Sequence, residues 1–468
     1  MEWYWILLAL FGSILLLMFS GFPVGIAFIT VNTVAAFFLF GTFGDFDNKA
    51  QMSIGQLVDN AFGNMAIFAI VPIPMFLLMG ELFFHTGLAN RMFNAVERLM
   101  GRVPARLSYV TIAGGTAFAT LSGSSMGSTA LLGTLMVPEM SKRGYKKSMS
   151  IGPILGTGGL AMLIPPSALA VLLGTLAELD IGKLLIAGII PGLMLAVFYA
   201  ILIFLRATFD PEAAPAYDVD YVPFGQRFIL FLLDIMPMVS IIGFVIGLIM
   251  GGVATPSEAA AYGCVGVVLL VLGYLFLVPL LHGNIQAALD FWPSFGRAVW
   301  KSLWGAGRVT VIALMILFGS SLFSNVLAGS GASQALINWV ASFNVSPYLM
   351  LLMMFGILLL LGMFMDQLAM MLLTVPIFFP IVTDLDFSLP IDMKLIWFAV
   401  IMLLAMEISF TTPPFGLLLF VMQGVAPPGT KFSEICLAAL PFMGCALLLT
   451  FLIVIFPDLA LWLPWLAG

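Results

Sequence analysis

Charge is what this 468-residue chain has least of: Asp, Glu, Lys and Arg together make up 9% of it, against about 25% in an ordinary soluble domain. So few charges cannot clothe a surface that must meet water, and a soluble globular protein is excluded. Histidine is nearly missing, with His85 and His282 as the two copies and no motif around either; histidine-based metal or general-base chemistry is not expected, nor is an enzyme. Cys264, Cys436 and Cys445 are scattered through apolar runs without paired spacing, which offers neither a disulfide framework nor a zinc site. Extended polar stretches are also lacking. The longest surrounds "DPEAAPAYDVDY" near 208 to 227, too little for a soluble domain. The net charge of -6 decides little, because the acids lie in loops and at helix ends.

What fills the chain instead is apolar: 62% of the residues are hydrophobic and the mean hydropathy is +1.15. This is the composition of a polytopic membrane protein lying in a lipid bilayer. Runs long enough for the roughly 20 residues that cross hydrocarbon are expected near 3 to 20, 23 to 41, 65 to 85, 148 to 177, 184 to 206, 228 to 250, 256 to 278, 309 to 328, 395 to 424 and 434 to 463. The first lacks a basic start and a cleavage site, so it is read as a retained helix. With the N-terminus outside, the inner loops take all but Lys49, Lys183 and Lys394 of the 17 basic residues. That asymmetry is what the positive-inside rule asks for, and it places both termini on the outer face.

The segment from Arg106 to Arg143 must then enter the membrane and return, because Arg102 and Arg106 before it share a face with Lys142 to Lys147 after it. Two arms of about 16 residues, each rising about 24 Å, fall short of a hydrocarbon core of about 30 Å. A re-entrant hairpin with its turn at "SGSS" satisfies both limits. Between Arg308 and Lys394 no Lys or Arg occurs, and a second hairpin, opening outward, is expected from Pro347 to Asp384.

Landmarks of the two halves pair in order: Pro23 with Pro256, Gly80 with Gly319, Pro104 with Pro347, Pro165-Pro166 with Pro413-Pro414 and Pro191 with Pro441. The offset grows from 233 to 250 residues, as small insertions would make it do. On the layout above, corresponding helices run in opposite senses, and inverted repeats of this kind mark secondary transporters. Two stretches, "LANRMFNAVERLMGR" and "NIQAALDFWPSFGRAVWKSLWGAGR", set apolar and aromatic residues beside Arg or Lys at helical spacing and are expected to lie at the interface. Pro72 and Pro74 are expected to bend a helix.

Four irregular stretches interrupt the helices, and backbone freed inside a membrane must face protein, water or a ligand. In "SGSSMGS" (Ser122 to Ser128) glycine permits the turn, and the second arm starts with its N-terminus at the turn, a natural anion site. In "GTGGLAMLIPPSALA" the tandem Pro165-Pro166 removes two donors, and carbonyls of about Leu160 to Ile164 are expected to lack partners, which suits an alkali cation. "GMFMDQ" places Gly362 and Asp366 at the second tip, where an acid costs about 2.5 to 3.5 kcal/mol to insert; Asp366 also fits as an N-cap. "AMEISFTTPPFGLLLF" supplies Thr411 and Thr412 beside another freed backbone. Glu407, one turn earlier, either binds an ion or pairs elsewhere.

At these residues the chain resembles the large membrane (DctM-like) subunit of the tripartite ATP-independent periplasmic (TRAP) transporters. "VPIPMFLLMGELFFHTG", "LSGSSMGSTALLGTLMVPEMSKRGY", "LIPPSALAVLLG", "ATPSEAAA" and "TTPPFGLLLF" stand in that family's order over essentially the whole length. The resemblance implies an all-α polytopic membrane protein, an inverted-repeat elevator-type transporter with about ten to eleven spans, two re-entrant helical hairpins and two broken helices. It implies sodium-coupled import of a small organic acid, a carboxylate or a sulfonate, across the bacterial inner membrane, with sodium ions as coupling ions and no organic cofactor. Two partners are implied, a small four-helix membrane subunit and a periplasmic substrate-binding protein; nucleic acid is not among them.

Carried onto this sequence, the resemblance implies a first sodium site at Ser122, Ser125, Leu160, Ile164 and Pro166, and a second at Gly362, Asp366, Ser409, Thr412 and Pro414. Gly123, Ser124, Pro165 and Pro413 lie beside them. For the organic acid anion it points to Ser122, Gly123, Ser124, Ser125, Ser128, Ser167, Asp366, Thr411 and Gly416. Ser128 stands where the family often has Asp, and Ser409 where a Gly is usual. The expected division is a scaffold of 1–85 and 207–328, an interfacial connecting helix at 86–104, and a moving unit of 105–206 with 346–468. An ion or anion channel with re-entrant selectivity hairpins is the alternative reading.

Overall fold

The computed structural model describes residues 3–20, 22–39, 55, 58, 70–101, 103–122, 124–215, 223–281, 283, 285–342, 345–363, 365–413 and 416–466. Every regular element among them is a helix. The chain begins with α1 (Trp3–Phe19), α2 (Val24–Leu39), α3 (Pro72–His85) and α4 (Leu88–Met100). Pro72 and Pro74 do not bend α3: they occupy its first turn, where the helix has no use for their missing N–H groups. Helix α4 leaves α3 at 66° and is amphipathic as expected, burying Leu88, Ala89, Met92, Phe93 and Ala95.

Next come α5 (Arg106–Ser122) and α6 (Ser125–Lys142), which pack on each other as the two arms of a hairpin. They are followed by α7 (Lys147–Gly159), a short 3-10 turn at Leu160–Met162, α8 (Ala168–Leu176), α9 (Ile181–Ala187) and α10 (Ile189–Phe209). The middle of the chain forms α11 (Phe224–Leu230), α12 (Met236–Met250), α13 (Pro256–Val271), α14 (Val278–Leu281) and α15 (Ile285–Gly329). One π-helical segment, Phe231–Ile235, joins α11 to α12, and another, Leu272–Leu277, joins α13 to α14. Arg91 of α4 is ion-paired with Asp234 in the first of these and lies 4.3 Å over the ring of Tyr274 in the second.

Helix α15 corrects the expected separation of an interfacial arm from a span at 309 to 328. The two are one helix of 45 residues, about 68 Å long, which no single crossing accommodates. After α16 (Ala332–Ser342) a second hairpin follows, α17 (Pro347–Gly362) and α18 (Gln367–Asp384), then α19 (Ile391–Phe410), α20 (Leu417–Val425), α21 (Phe432–Ile455) and α22 (Asp458–Leu466). Seven described helices are long and apolar enough to cross a membrane, or eight if α3 and α4 make one span. The expectation of ten counted shorter elements as well: α1 and α2, with 17 and 16 residues, and the broken pair α7 and α8, with 13 and 9.

Helices that are apolar on every side belong in the centre of a bundle, and two do so here. Helix α7 is buried without interruption from Met149 to Gly159, and α19 from Ile396 to Phe410. Both end where the chain breaks. Around them pack α5, α6, α10, α17, α18 and α21, while α15 packs on α2 and α3, and α13 on α3 and α12. Glycines make the closest approaches possible: a β-carbon at Gly152 or Gly156 of α7 would stand 2.5 or 2.8 Å from the ring of Phe442 in α21.

Candidate functional site

Three of the four interruptions resolve into the same local device. The residue before the new helix has extended backbone and its side chain accepts a hydrogen bond from the helix's first turn: Ser124 from Gly127 N at 3.1 Å, Ser167 from Ala170 N at 3.2 Å, and Asp366 from Ala369 N at 2.8 Å. These are N-caps, which Ser and Asp favour because a short side-chain oxygen reaches the otherwise unpaired N–H groups. At the fourth, Gly416 precedes α20 without a side chain to offer. A β-carbon there would stand 2.7 Å from the Phe410 carbonyl oxygen and 2.9 Å from that of Thr412, so glycine is required by close backbone approach.

Each broken helix meets a hairpin at its end. At α7, a β-carbon on Gly158 would lie 2.3 Å from Thr129 Oγ1 and 3.4 Å from the Ser125 carbonyl oxygen, so the first hairpin's second arm rests directly on the last turn before the break. At α19, a β-carbon on Gly362 would lie 2.1 Å from Ser409 Oγ, so the second tip rests on that helix in turn. The two neighbourhoods adjoin. Gln367 Nε2, next to Asp366, donates to Met162 Sδ in the first break at 3.3 Å. The packing is also crossed: α20, beyond the second break, lies on α6 of the first hairpin, and α8, beyond the first break, lies on α18 of the second.

The hydroxyls divide into two sets. Ser128 donates to the Ser124 carbonyl at 2.8 Å, Ser409 to that of Met406 at 2.9 Å, and Thr411 and Thr412 to that of Ile408 at 3.0 and 2.7 Å. A hydroxyl that has given its hydrogen to a carbonyl retains lone pairs, which face a cation well and an anion poorly. Ser125 Oγ and Thr129 Oγ1 are buried and have no partner among the described residues. Two orphaned hydroxyl oxygens one helical turn apart, beside a chain break, are the feature here that most needs a ligand. Thr129 was missed in the sequence although it lies four residues after Ser125, on the same helix face.

The expected set of free carbonyls at the first break is partly wrong. Leu160 is not available, since its carbonyl accepts from Leu163 N at 3.2 Å and Ile164 N at 3.1 Å. The reason is reach: the prolines at 165 and 166 withhold donors from carbonyls three and four residues back, and Leu160 lies beyond them. The carbonyl of Leu163 is turned to Gly188, whose β-carbon, if present, would stand 2.0 Å away. That of Ile164 accepts no hydrogen bond from the described residues. Gly123 and Pro414, and the side chain of Ser122, lie outside what the structure describes.

Asp366 and Met365 line a cavity of about 240 Å³ together with Leu417 and, from α1, α2 and the link between them, Leu15, Met18, Phe22 and Val24. Glu407 Oε1 accepts from the Tyr199 hydroxyl of α10 at 3.1 Å, while its buried Oε2 has no partner among the described residues. No group of three or more His, Cys, Asp and Glu side chains gathers among the described residues. The oxygen donors are hydroxyls, carbonyls and single carboxylates, the set that hard cations take.

Helices interrupted in pairs within a bundle of apolar helices, with hairpin tips set against the breaks, are the arrangement of transport proteins built from discontinuous helices. The solved Alcanivorax borkumensis YdaH transporter shares this fold, with a TM-score of 0.59 over 95% of this chain and 98% of that one; at 13% identity the likeness is one of fold. The sequence pattern of "Tripartite ATP-independent periplasmic transporter, DctM component" matches residues 11–459, and the chain belongs to that family. Among its relatives are the C4-dicarboxylate TRAP transporter large permease protein of Pseudomonas aeruginosa, 30% identical over 88% of this chain and 90% of that protein, and the ectoine large permease protein of Halomonas elongata, 27% identical over 96% and 97%. The isethionate permease protein DctMQ of Oleidesulfovibrio alaskensis is 28% identical over 94% of this chain and 63% of its own length. These relatives are permeases, and the chain is a multi-pass membrane transport protein of the bacterial inner membrane, not an enzyme.

Proposed function

We propose that this large permease subunit imports a small organic acid with sodium as the coupling ion, receiving its substrate from a periplasmic binding protein and working beside a small four-helix membrane subunit. The observation that carries the reading is the pair of unpartnered hydroxyls, Ser125 and Thr129, set against the end of α7 where the backbone breaks. Sodium at that place would satisfy them together with the Ile164 carbonyl. A second ion at Asp366, Ser409 and Thr412, with Gly362 giving the close approach, is the counterpart in the other half.

The chemistry of the substrate follows from what is not near. No Lys or Arg occurs in 107–141, 148–182, 309–393 or 395–430, so an anion held by the interruptions has only helix N-termini, hydroxyls and bound cations to neutralise it. Ser124, Ser167 and Gly416 stand at three such N-termini, with Ser128 and Thr411 close by. Sodium binding first creates the positive field that the acid then enters. That order makes the two fluxes obligatorily linked, and one elementary charge crossing 100 mV supplies about 2.3 kcal/mol. The names of the relatives, C4-dicarboxylate, ectoine, isethionate and sialic acid, span the substrate classes to be tried.

Alternating access, on this reading, comes from an elevator movement in which 105–206 and 346–468 slide as one unit past 1–85 and 207–328, with both termini periplasmic. The crossed packing of α20 on α6 and α8 on α18 supports a single moving body, since neither hairpin can leave its place without the other half's broken helix. The test is uptake into proteoliposomes containing both membrane subunits and supplied with the cognate binding protein. A panel of carboxylates and sulfonates is scanned with and without an inward sodium gradient. Saturable, sodium-dependent uptake of one class is expected; flux that neither saturates nor needs the binding protein would replace this reading with a channel.

A further inference from the structure

Glu407 is the acid the reading above leaves unused. It is 3% exposed, and an acid held at membrane depth is a functional group by default. Its side chain leaves α19 one turn before Thr411 and crosses to α7, where it lies against Gly159, the last residue before the first break. A β-carbon on Gly159 would stand 2.2 Å from Glu407 Cγ and 2.4 Å from Oε1. From a third side, the Tyr199 hydroxyl of α10 donates to Oε1 at 3.1 Å. Tyr199 is itself 1% exposed and packs on Phe442 of α21. One carboxyl is therefore wedged between the last turn of α7 and the last turn of α19, and a hydrogen bond fixes it there.

We propose that Glu407 is a positioning residue that couples the two breaks, so that the ion held at one prepares the other. Movement of Gly159 displaces the carboxyl, and the carboxyl carries with it the turn of α19 whose Ile408 carbonyl holds the Thr411 and Thr412 hydroxyls. Tyr199 keeps the side chain from swinging aside and so turns a contact into a link. Pairs of sites joined through one element bind cooperatively when each biases the same two arrangements. The inference rests on the reading of the breaks as ion sites.

Two measurements test it. In proteoliposomes, uptake by the wild type should rise steeply with sodium. Glu407→Ala and Tyr199→Phe should flatten that dependence towards simple saturation while the rate at saturating sodium stays within about twofold. Glu407→Gln, whose amide oxygen still accepts from Tyr199, should restore the steepness. A part in stability alone would lower the amount of folded protein and leave the steepness untouched, so an unchanged sodium dependence in Glu407→Ala overturns the proposal. Should that variant fail to fold, Tyr199→Phe, which removes one oxygen atom, decides by the same criterion. The second measurement needs no sodium: hydrogen exchange at 408–412 should rise in Gly159→Ala relative to the wild type. Unchanged exchange overturns the link itself. Raised exchange in a protein whose uptake ignores sodium keeps the link and removes the ion-site reading.

Discussion

Gly362 of the second hairpin lies so close against Ser409 of α19 that a β-carbon at 362 would fall 2.1 Å from the serine oxygen and 2.3 Å from its Cβ. The backbone of the tip is thus in direct contact with a serine side chain of the broken helix. Gly362→Ala must push the two apart, and overpacking of this kind costs about 1–3 kcal/mol. The expected result is a rise of about tenfold or more in half-saturating sodium, by the usual conversion of 1.4 kcal/mol to a factor of ten. Ser409→Gly in the same background removes the atoms that clash and a proposed ligand with them, so it should restore thermal stability while half-saturating sodium stays high. Sodium-dependent uptake and thermal melts of the two variants check this.

Ser125 and Thr129 separate stability from binding. Removing a buried hydroxyl that has no partner relieves an unmet hydrogen bond, so Ser125→Ala and Thr129→Val should leave thermal stability in detergent equal or improved. If the same oxygens face sodium, each variant should raise half-saturating sodium by about tenfold. Stability and affinity moving in opposite directions is the expected signature. Parallel losses would mean that the two hydroxyls hold the fold rather than an ion.

Asp366 combines a cap with a charge, and the two can be parted. Asn caps a helix as well as Asp, so Asp366→Asn should unfold at the wild-type temperature, while Asp366→Ala should lose the cap's about 0.5–2 kcal/mol. Both should weaken sodium-dependent uptake, since both remove the carboxylate. Full uptake by Asp366→Asn would reduce this residue to its structural part.

The ion pair between Arg91 and Asp234 ties the connecting helix α4 to the π-helical segment before α12. Asp234 is 9% exposed, so truncating its partner leaves a nearly buried charge unanswered. Arg91→Ala should lower the unfolding temperature, and adding Asp234→Ala should return part of the loss rather than deepen it. Thermal melts of the single and double variants measure the coupling.

Much of this arrangement was legible because its causes are local. Asp366 announces a cap by residue type and place, and the proline pair announces a break that no neighbour can repair; Ser124 and Ser167, expected as ligand residues, are caps as well. The hairpin from Arg106 to Arg143 followed from charge at its two ends and a length too short for two crossings. Other features were hidden because they depend on partners distant in the chain. Nothing about Gly159 or Gly362 in sequence says that a carboxyl or a serine from a remote helix fills the missing β-carbon's place. Tyr199, inside the apolar run of α10, looks like a packing residue until its hydroxyl is seen on Glu407. Leu160 was misjudged for a local reason, the 3-10 turn that satisfies its carbonyl before the prolines take effect. The length of α15 was unreadable because charged and apolar stretches suit one continuous helix as well as two.

The most direct test of the account is equilibrium sodium binding to the purified subunit, measured by titration calorimetry with potassium as the comparison ion. Saturable binding of sodium but not potassium is predicted in the wild type, weakened about tenfold in both Ser125→Ala and Gly362→Ala. Absence of saturable binding in the wild type, or binding indifferent to both substitutions, would contradict it.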